Sequence, residues 1–250
     1  MKYKLLLLDV DGTTTASNGE ALPSRRVIDA VAHAQDQLHV ALATGRSIEL
    51  AQSVIDSLGL RGPSVFNGGA EIIDVQNKSV LRSQQLGVPT LQELIRLALP
   101  FGYAVYTDED QYAAAITKPE DIMAPAAKLF IEEVSTSDAV HILEQLNGVP
   151  LAEAHPTSSW GEGDVVDIHV THEHATKRHG AERLIHLLGL KKEQVIAVGD
   201  GYNDVPLLEA AGLKVAMGNA PDEVKRLADY IAPSLEDDGV AEVIERFILS

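Results

Sequence analysis

The sequence predicts an α/β protein: a Rossmann-like parallel-sheet core with a smaller α+β domain inserted into it. Near each end of the chain a short apolar run stops abruptly at acids. Leu5-Leu6-Leu7-Leu8 precedes Asp9-Val10-Asp11-Gly12-Thr13, and Val195-Ile196-Ala197-Val198 precedes Gly199-Asp200-Gly201-Tyr202-Asn203-Asp204. A strand buried on both faces reads as a continuous apolar run, and open α/β sheets collect ligands at the carboxyl edge of such strands. Around both runs strand and helix patterns alternate, whereas residues 83–172 turn to grouped strands with two helices.

Taken in order, residues 24–37 read as a helix capped by Ser24, with Val27, Ile28, Val31 and Ala34 on one face. A strand at 39–43, a helix at 48–58 stopped by Gly59 and a third strand at 64–66 follow. Asn67-Gly68-Gly69 turns the chain into extended runs at 71–75 and 79–81, a hairpin around Gln76-Asn77. The alternation resumes near Lys177, with helices at 180–188, 205–211, 222–228 and 240–247 and strands at 195–198, 214–217 and 230–232. Between the two parts, 90–99 and 137–146 read as helices and 104–107, 112–116, 128–134, 151–154 and 165–170 as extended. The expected division is a core of 1–82 and 173–250 with an insert of 83–172.

With 250 residues and 45% hydrophobic content the chain can bury real cores. The apolar run at the amino end stops at Asp9, short of a secretory or membrane segment, and no other run is long enough, so no membrane partner and a cytoplasmic location are expected. Zero cysteines exclude disulfides, thiolate metal sites and a cysteine nucleophile. A formal charge of −17 argues against nucleic-acid binding through a basic surface. An anionic substrate must then be held by local cations against the overall field. Asp9, Asp11, Asp200 and Asp204, converging from two strand ends, demand a counterion, and hard oxygen donors favour Mg²⁺.

Four motifs in one order carry a family resemblance: Asp9-Val10-Asp11-Gly12-Thr13, Ala43-Thr44-Gly45-Arg46, Lys177 at a helix start, and Gly199-Asp200-Gly201-Tyr202-Asn203-Asp204 followed by Pro206-Leu207-Leu208. Val215-Ala216-Met217-Gly218-Asn219-Ala220 and Asp237-Asp238-Gly239-Val240 trail in the same pattern. The chain resembles the haloacid dehalogenase superfamily, in the Cof-type (IIB) branch of phosphatases whose large cap is inserted after the third core strand. That resemblance implies a Mg²⁺-dependent hydrolysis of small phosphorylated metabolites, of sugar-phosphate or phosphoglycolate type, through an aspartyl-phosphate, with a mobile cap closing over the site. It implies Asp9 as nucleophile and Asp11 as the acid that protonates the leaving oxygen and then activates water. The metal is expected on the side chains of Asp9 and Asp200 and the main-chain carbonyl of Asp11, with Asp204 orienting metal-bound water. Thr44 and Lys177 take phosphoryl oxygens, and Gly12, Thr13, Gly45, Arg46 and Asn203 are the expected substrate contacts. For Arg46 the other reading is a solvated helix-start residue, for Asn203 a helix cap, and for Asn67 the choice is turn residue or cap-side ligand.

The match departs from the family in two places. Thr14-Thr15 stands where an apolar residue is usual, which is expected to loosen the turn, and Arg178-His179 separates Lys177 from Gly180. A phosphomutase or phosphotransferase would use the same residues. A receiver-like phosphoacceptor is disfavoured by Asp11 and the inserted lid, and a silent binding protein by the filled chemical positions. His169, His172, His174 and His179 fit no tight ligand spacing, so structural or solvated roles are expected rather than zinc or nickel, with a substrate contact by one of them as the other reading. Trp160 is expected to pack rather than to stack on substrate.

Overall fold

The computed structural model describes residues 2–16, 21–107, 115–159 and 163–250; Trp160 and most of the expected strand at 112–116 lie outside them. The chain divides into two compact units, 1–82 with 177–250, and 83–176.

In the first unit five parallel strands are ordered β12-β11-β10-β1-β2: β1 (Leu5–Leu8), β2 (His39–Leu42), β10 (Val195–Gly199), β11 (Leu213–Ala216) and β12 (Tyr230–Ile231). A single parallel bridge, Ala43 to Val65, sets β3 (Pro63–Phe66) beside the end of β2. β3 pairs antiparallel with β4 (Glu71–Asp74), and β5 (Ser79–Ser83) completes that three-stranded sheet. The side-chain period of two splits each central strand between two cores. Leu6 and Leu8 join Val40, Leu42, Ile196 and Val198 against α1 (Arg25–Gln35), α2 (Ile48–Leu58) and α8 (Gly239–Phe247). Leu5 and Leu7 join Ala41, Val195 and Ala197 against α5 (Lys177–Leu187), α6 (Val205–Glu209) and α7 (Asp222–Lys225). All four leucines are fully buried, which is why this strand reads as an unbroken apolar run. Ser24 accepts from the Val27 amide to start α1, and Ser47 from Leu50 to start α2, which Gly59 ends in the left-handed conformation.

α5 begins at Lys177, a turn earlier than the expected start at 180. Gly180 explains the spacing: a Cβ there would lie 2.5 Å from Val65 Cγ1 and 2.8 Å from Gly69 Cα, so only glycine lets the helix press onto β3 and the turn after it.

The second unit is a four-stranded antiparallel sheet in the order β6-β7-β9-β8, from β6 (Val105–Tyr106), β7 (Lys128–Ser135), β8 (Ala152–Ser158) and β9 (Val165–His172). Leu129, Ile131, Ile168, Val170 and Ala154 alternate onto one face and pack with α3 (Val88–Ala98) and α4 (Thr136–Leu146). Glu133, with φ of 50°, marks a bulge in β7 at which its amide donates to Asp167 Oδ1 at 2.9 Å. The alternate face carries Lys128, Phe130 and His169. The His169 ring meets Phe130 edge-on at 5.0 Å, and burial, helped by Lys128 and His155, pushes its pKa well below the usual imidazole value.

His169 therefore stays neutral in the folded protein, whereas in the unfolded chain it protonates near about pH 6.5. Between the two values the unfolded chain binds more protons, so stability present above about pH 6.5 falls as pH drops. Urea unfolding at pH 7 and pH 5.5 is expected to show a smaller pH loss for His169→Leu than for the parent.

Candidate active site

β1 and β10 are neighbours in register, Leu5 with Val195 through Leu8 with Val198, yet the chain leaves β1 toward β2 and β3 and returns to β10 on the other side. That reversal opens a crevice at the carboxyl edge, and both acid motifs emerge into it. The Asp9 amide donates to the Val198 carbonyl at 3.0 Å, so the first acid is fixed to the end of the neighbouring strand. Asp9 and Asp204 are buried, and each gives one oxygen to the Lys177 ammonium, at 2.6 Å and 2.5 Å. The other Asp204 oxygen accepts from the amides of Asp200 and Gly201, so this side chain shapes the loop and holds the lysine at once. Asp200 Oδ1 accepts from the Thr13 hydroxyl at 2.7 Å.

Burial first, then the nearby Asp204 charge, raises the Asp9 pKa well above its usual value despite Lys177. Burial likewise lifts Asp200 to about 6, partly offset by the Thr13 hydrogen bond. Burial alone would lower Lys177, but Asp204 and Asp9 outweigh it and the ammonium is raised. More negative charge is gathered than one ammonium neutralises. Asp9, Asp200 and Asp204 each offer an oxygen within 4.8 Å of the others, and this is the group among the described residues that fits a shared cation. The all-oxygen donor set fits a hard divalent ion.

Thr44 follows β2 and is buried; its Oγ1 accepts from the Arg46 amide at 3.1 Å, leaving the hydroxyl proton for another acceptor. Gly45 lies between them, where a Cβ would meet nothing within 4 Å. Arg46 is neither solvated nor clear of the acids: its guanidinium grips the Asp11 carboxylate with two hydrogen bonds, and the Asp11 charge still contributes to raising Asp200. Asn203 is exposed, with its amide oxygen folded back over Gly201. Asn67 is buried in the left-handed region, φ 52°, its amide donating to the Arg46 carbonyl and its Nδ2 to Glu71.

The expectation that Thr14-Thr15 loosens the first turn is corrected. Thr14 is buried and its hydroxyl donates to the Asp9 carbonyl at 2.5 Å, while the Thr15 hydroxyl reaches the Val10 carbonyl at 3.4 Å. Both hydroxyls are satisfied by main-chain acceptors and tie the turn down. Asn219 is a site residue to which the sequence reading gave no role. Its Nδ2 donates to the Gly12 carbonyl at 2.8 Å and lies 3.5 Å from Asp200 Oδ2, and its Oδ1 accepts from the Leu235 amide. Its place just past β11, on the edge that carries the acids, was the available signal. His172 and His174 face each other at 5.5 Å, with the His174 amide donating to His172 Nδ1.

Comparison with known proteins gives the family. The family profile described as haloacid dehalogenase-like hydrolase matches residues 6–140 and 125–244. The chain belongs to that family. It is 28% identical over 247 residues to phosphoglycolate phosphatase 1 of Saccharolobus solfataricus, covering 98% of this chain and 96% of that one. It is 29% identical over 257 residues to a 5-amino-6-(5-phospho-D-ribitylamino)uracil phosphatase of Bacillus subtilis, with coverage of 98% and 96%. A crystal structure of a haloacid dehalogenase-like hydrolase from Bacteroides thetaiotaomicron superposes with a TM-score of 0.81 at 28% identity, covering 98% of this chain and 99% of that chain. In this family member no helix of the described residues is long and apolar enough to cross a membrane.

Gly12, at φ 82°, sits where an added Cβ would lie 2.2 Å from Asp200 Oδ2. Gly12→Ala therefore combines left-handed backbone strain with expulsion of Asp200 from its place. A loss of about 1–3 kcal/mol in urea unfolding is expected.

Proposed function

We propose that this chain is a Mg²⁺-dependent phosphatase that hydrolyses small phosphorylated metabolites, of sugar-phosphate or phosphoglycolate type, through an aspartyl-phosphate on Asp9. The observation that carries the reading is the buried Lys177 ammonium shared by Asp9 and Asp204, with Asp200 beside it in the crevice between β1 and β10. The two phosphatase relatives named above bear names with chemically unlike substrates, so what they share is the phosphoryl group and not the rest of the ester. Phosphoryl transfer asks the protein mainly for positioning and charge neutralisation. Residues of that kind are what the strand ends supply.

Lys177 fixes Asp9 Oδ1, which leaves Oδ2 to attack phosphorus in line with the departing oxygen. The Asp9 Oδ2–P bond forms as the bond from phosphorus to the ester oxygen breaks, and Asp11 gives its proton to that oxygen. In the second step Asp11 takes a proton from water as the water oxygen attacks phosphorus, and Asp9 is released as a carboxylate. The Thr44 hydroxyl and the Lys177 ammonium bind non-bridging phosphoryl oxygens, supplying the local positive charge that a strongly acidic protein otherwise lacks. Bound Mg²⁺, held by Asp9, Asp200 and the Asp11 carbonyl with Asp204 close by, supplies charge neutralisation for the transferring group.

A screen of phosphorylated metabolites for phosphate release, with and without Mg²⁺, tests the reading; release from no ester in either condition rejects it. Asp9→Asn is nearly isosteric but a poor nucleophile, and a drop below about 10⁻³ of parent turnover with unchanged thermal stability is expected. Asp200→Asn is expected to weaken Mg²⁺ binding measured by calorimetry, whereas His172→Asn and His174→Asn leave it as in the parent. A metal affinity that follows the histidines instead would move the site.

A further inference from the structure

We propose that Arg46 is the positioning residue of Asp11, holding the carboxylate where it can exchange a proton with the leaving oxygen, rather than a ligand of the substrate. The inference rests on the phosphatase reading of the site. Arg46 is 5% exposed, while the Asp11 side chain is 36% exposed and follows the last strand residue by a short turn. Left to itself, a half-open carboxylate on a turn samples several rotamers. Arg46 removes that freedom from both sides. Its Nε donates to Asp11 Oδ2 at 2.9 Å and its Nη2 to Oδ1 at 2.5 Å, a two-pronged grip that fixes the plane of the carboxylate as well as its position. The guanidinium is itself anchored, since Nη1 donates to the Leu50 carbonyl at 3.3 Å inside the first turn of α2.

The Arg46 main chain is pinned equally well. Its amide donates to Thr44 Oγ1 and its carbonyl accepts from the Asn67 amide at 3.0 Å. One residue thus sets the orientation of the Thr44 hydroxyl through its backbone and of Asp11 through its side chain. With both Asp11 oxygens in its fork, the guanidinium turns its Nε–Nη2 edge to a protein carboxylate, the one the reaction needs. General acid catalysis depends on hydrogen-bond reach to the proton acceptor, and a displacement of about 1 Å can cost about 10²-fold in rate. An ammonium in place of the guanidinium keeps the charge and loses the fork.

The test compares kcat/KM for p-nitrophenyl phosphate and phenyl phosphate, esters of similar shape whose leaving oxygens differ in basicity, in the Mg²⁺-loaded parent, Arg46→Lys, Asp11→Asn and the double variant. A mispositioned acid penalises the more basic leaving group, so in Arg46→Lys the phenyl ester is expected to lose about tenfold more than the nitrophenyl ester, as it does in Asp11→Asn. In the Asp11→Asn background Arg46→Lys is expected to add less than about twofold, because its effect runs through Asp11. Equal losses on both esters, a change in KM alone, or full additivity in the double variant overturns the proposal while the phosphatase reading stands. A parent that turns over neither ester, nor any phosphorylated metabolite of the screen, overturns both. Should Arg46→Lys fail to fold, Asp11→Asn/Arg46→Met measured against Asp11→Asn reads the same coupling, and an extra loss above about twofold counts against positioning.

Discussion

One ammonium shared by buried acids is the constraint from which the core unit is built. Removing an ion from water costs several kcal/mol, on the order of the net stability of a small domain, unless partners replace the water. Lys177 replaces it for Asp9 and Asp204 simultaneously. To do so the first residue of α5 must stand over the ends of β1 and β10, which requires the helix to lie tight against β3. Gly180 grants that approach, and Ala181, Leu184 and Ile185 then face the second core. The acids, the lysine, the glycine and the apolar stripe of α5 are consequences of the same burial.

Excess negative charge is the other side of that constraint. Asp200 keeps a hydroxyl from Thr13, while burial first and then the Asp204 charge lift its pKa to about 6. A protein that wanted only a stable crevice would place an apolar residue there. Keeping a third carboxylate at a cost to stability is sensible if a cation completes the set, and the engagement of Asp11 with Arg46 fits a different task for that residue.

The broad fold was legible because its signals are local and redundant. Four buried leucines in a row fit a central parallel strand better than a half-exposed one, and the extended runs expected at 128–134, 151–154 and 165–170 correspond to strands of the antiparallel sheet. Ends of elements were less legible. Periodicity starts α5 only at 180, because Arg178 and His179 carry no apolar pattern; the motif had Lys177 at the helix start, and what holds that turn in place is the contact of Lys177 with residues 168 and 27 positions away. The threonines misled for a related reason. Read alone, Thr14-Thr15 is polar where apolar packing is usual; in the structure each hydroxyl meets a carbonyl that the turn itself presents.

Within the site, residue types revealed what each side chain can do, but not what it touches. Arg46 and Asp11 lie 35 positions apart, and their pairing follows from the register of β1 with β2, Leu8 opposite Leu42, which no single motif contains. Asn219 is the same case between β11 and the first loop. A common pattern runs through these contacts: groups of the edge, side chain or carbonyl, are held by a second residue, in most cases from another strand end. Thr13 holds Asp200, Thr14 the Asp9 carbonyl, Arg46 Asp11, and Asn219 the Gly12 carbonyl. Loops at a sheet edge have few buried contacts and would otherwise move, and electrostatic stabilisation is strongest when the groups need no reorganisation as charge develops. The sheet sets the acids side by side through its register, and the cross-links between its loops keep them there.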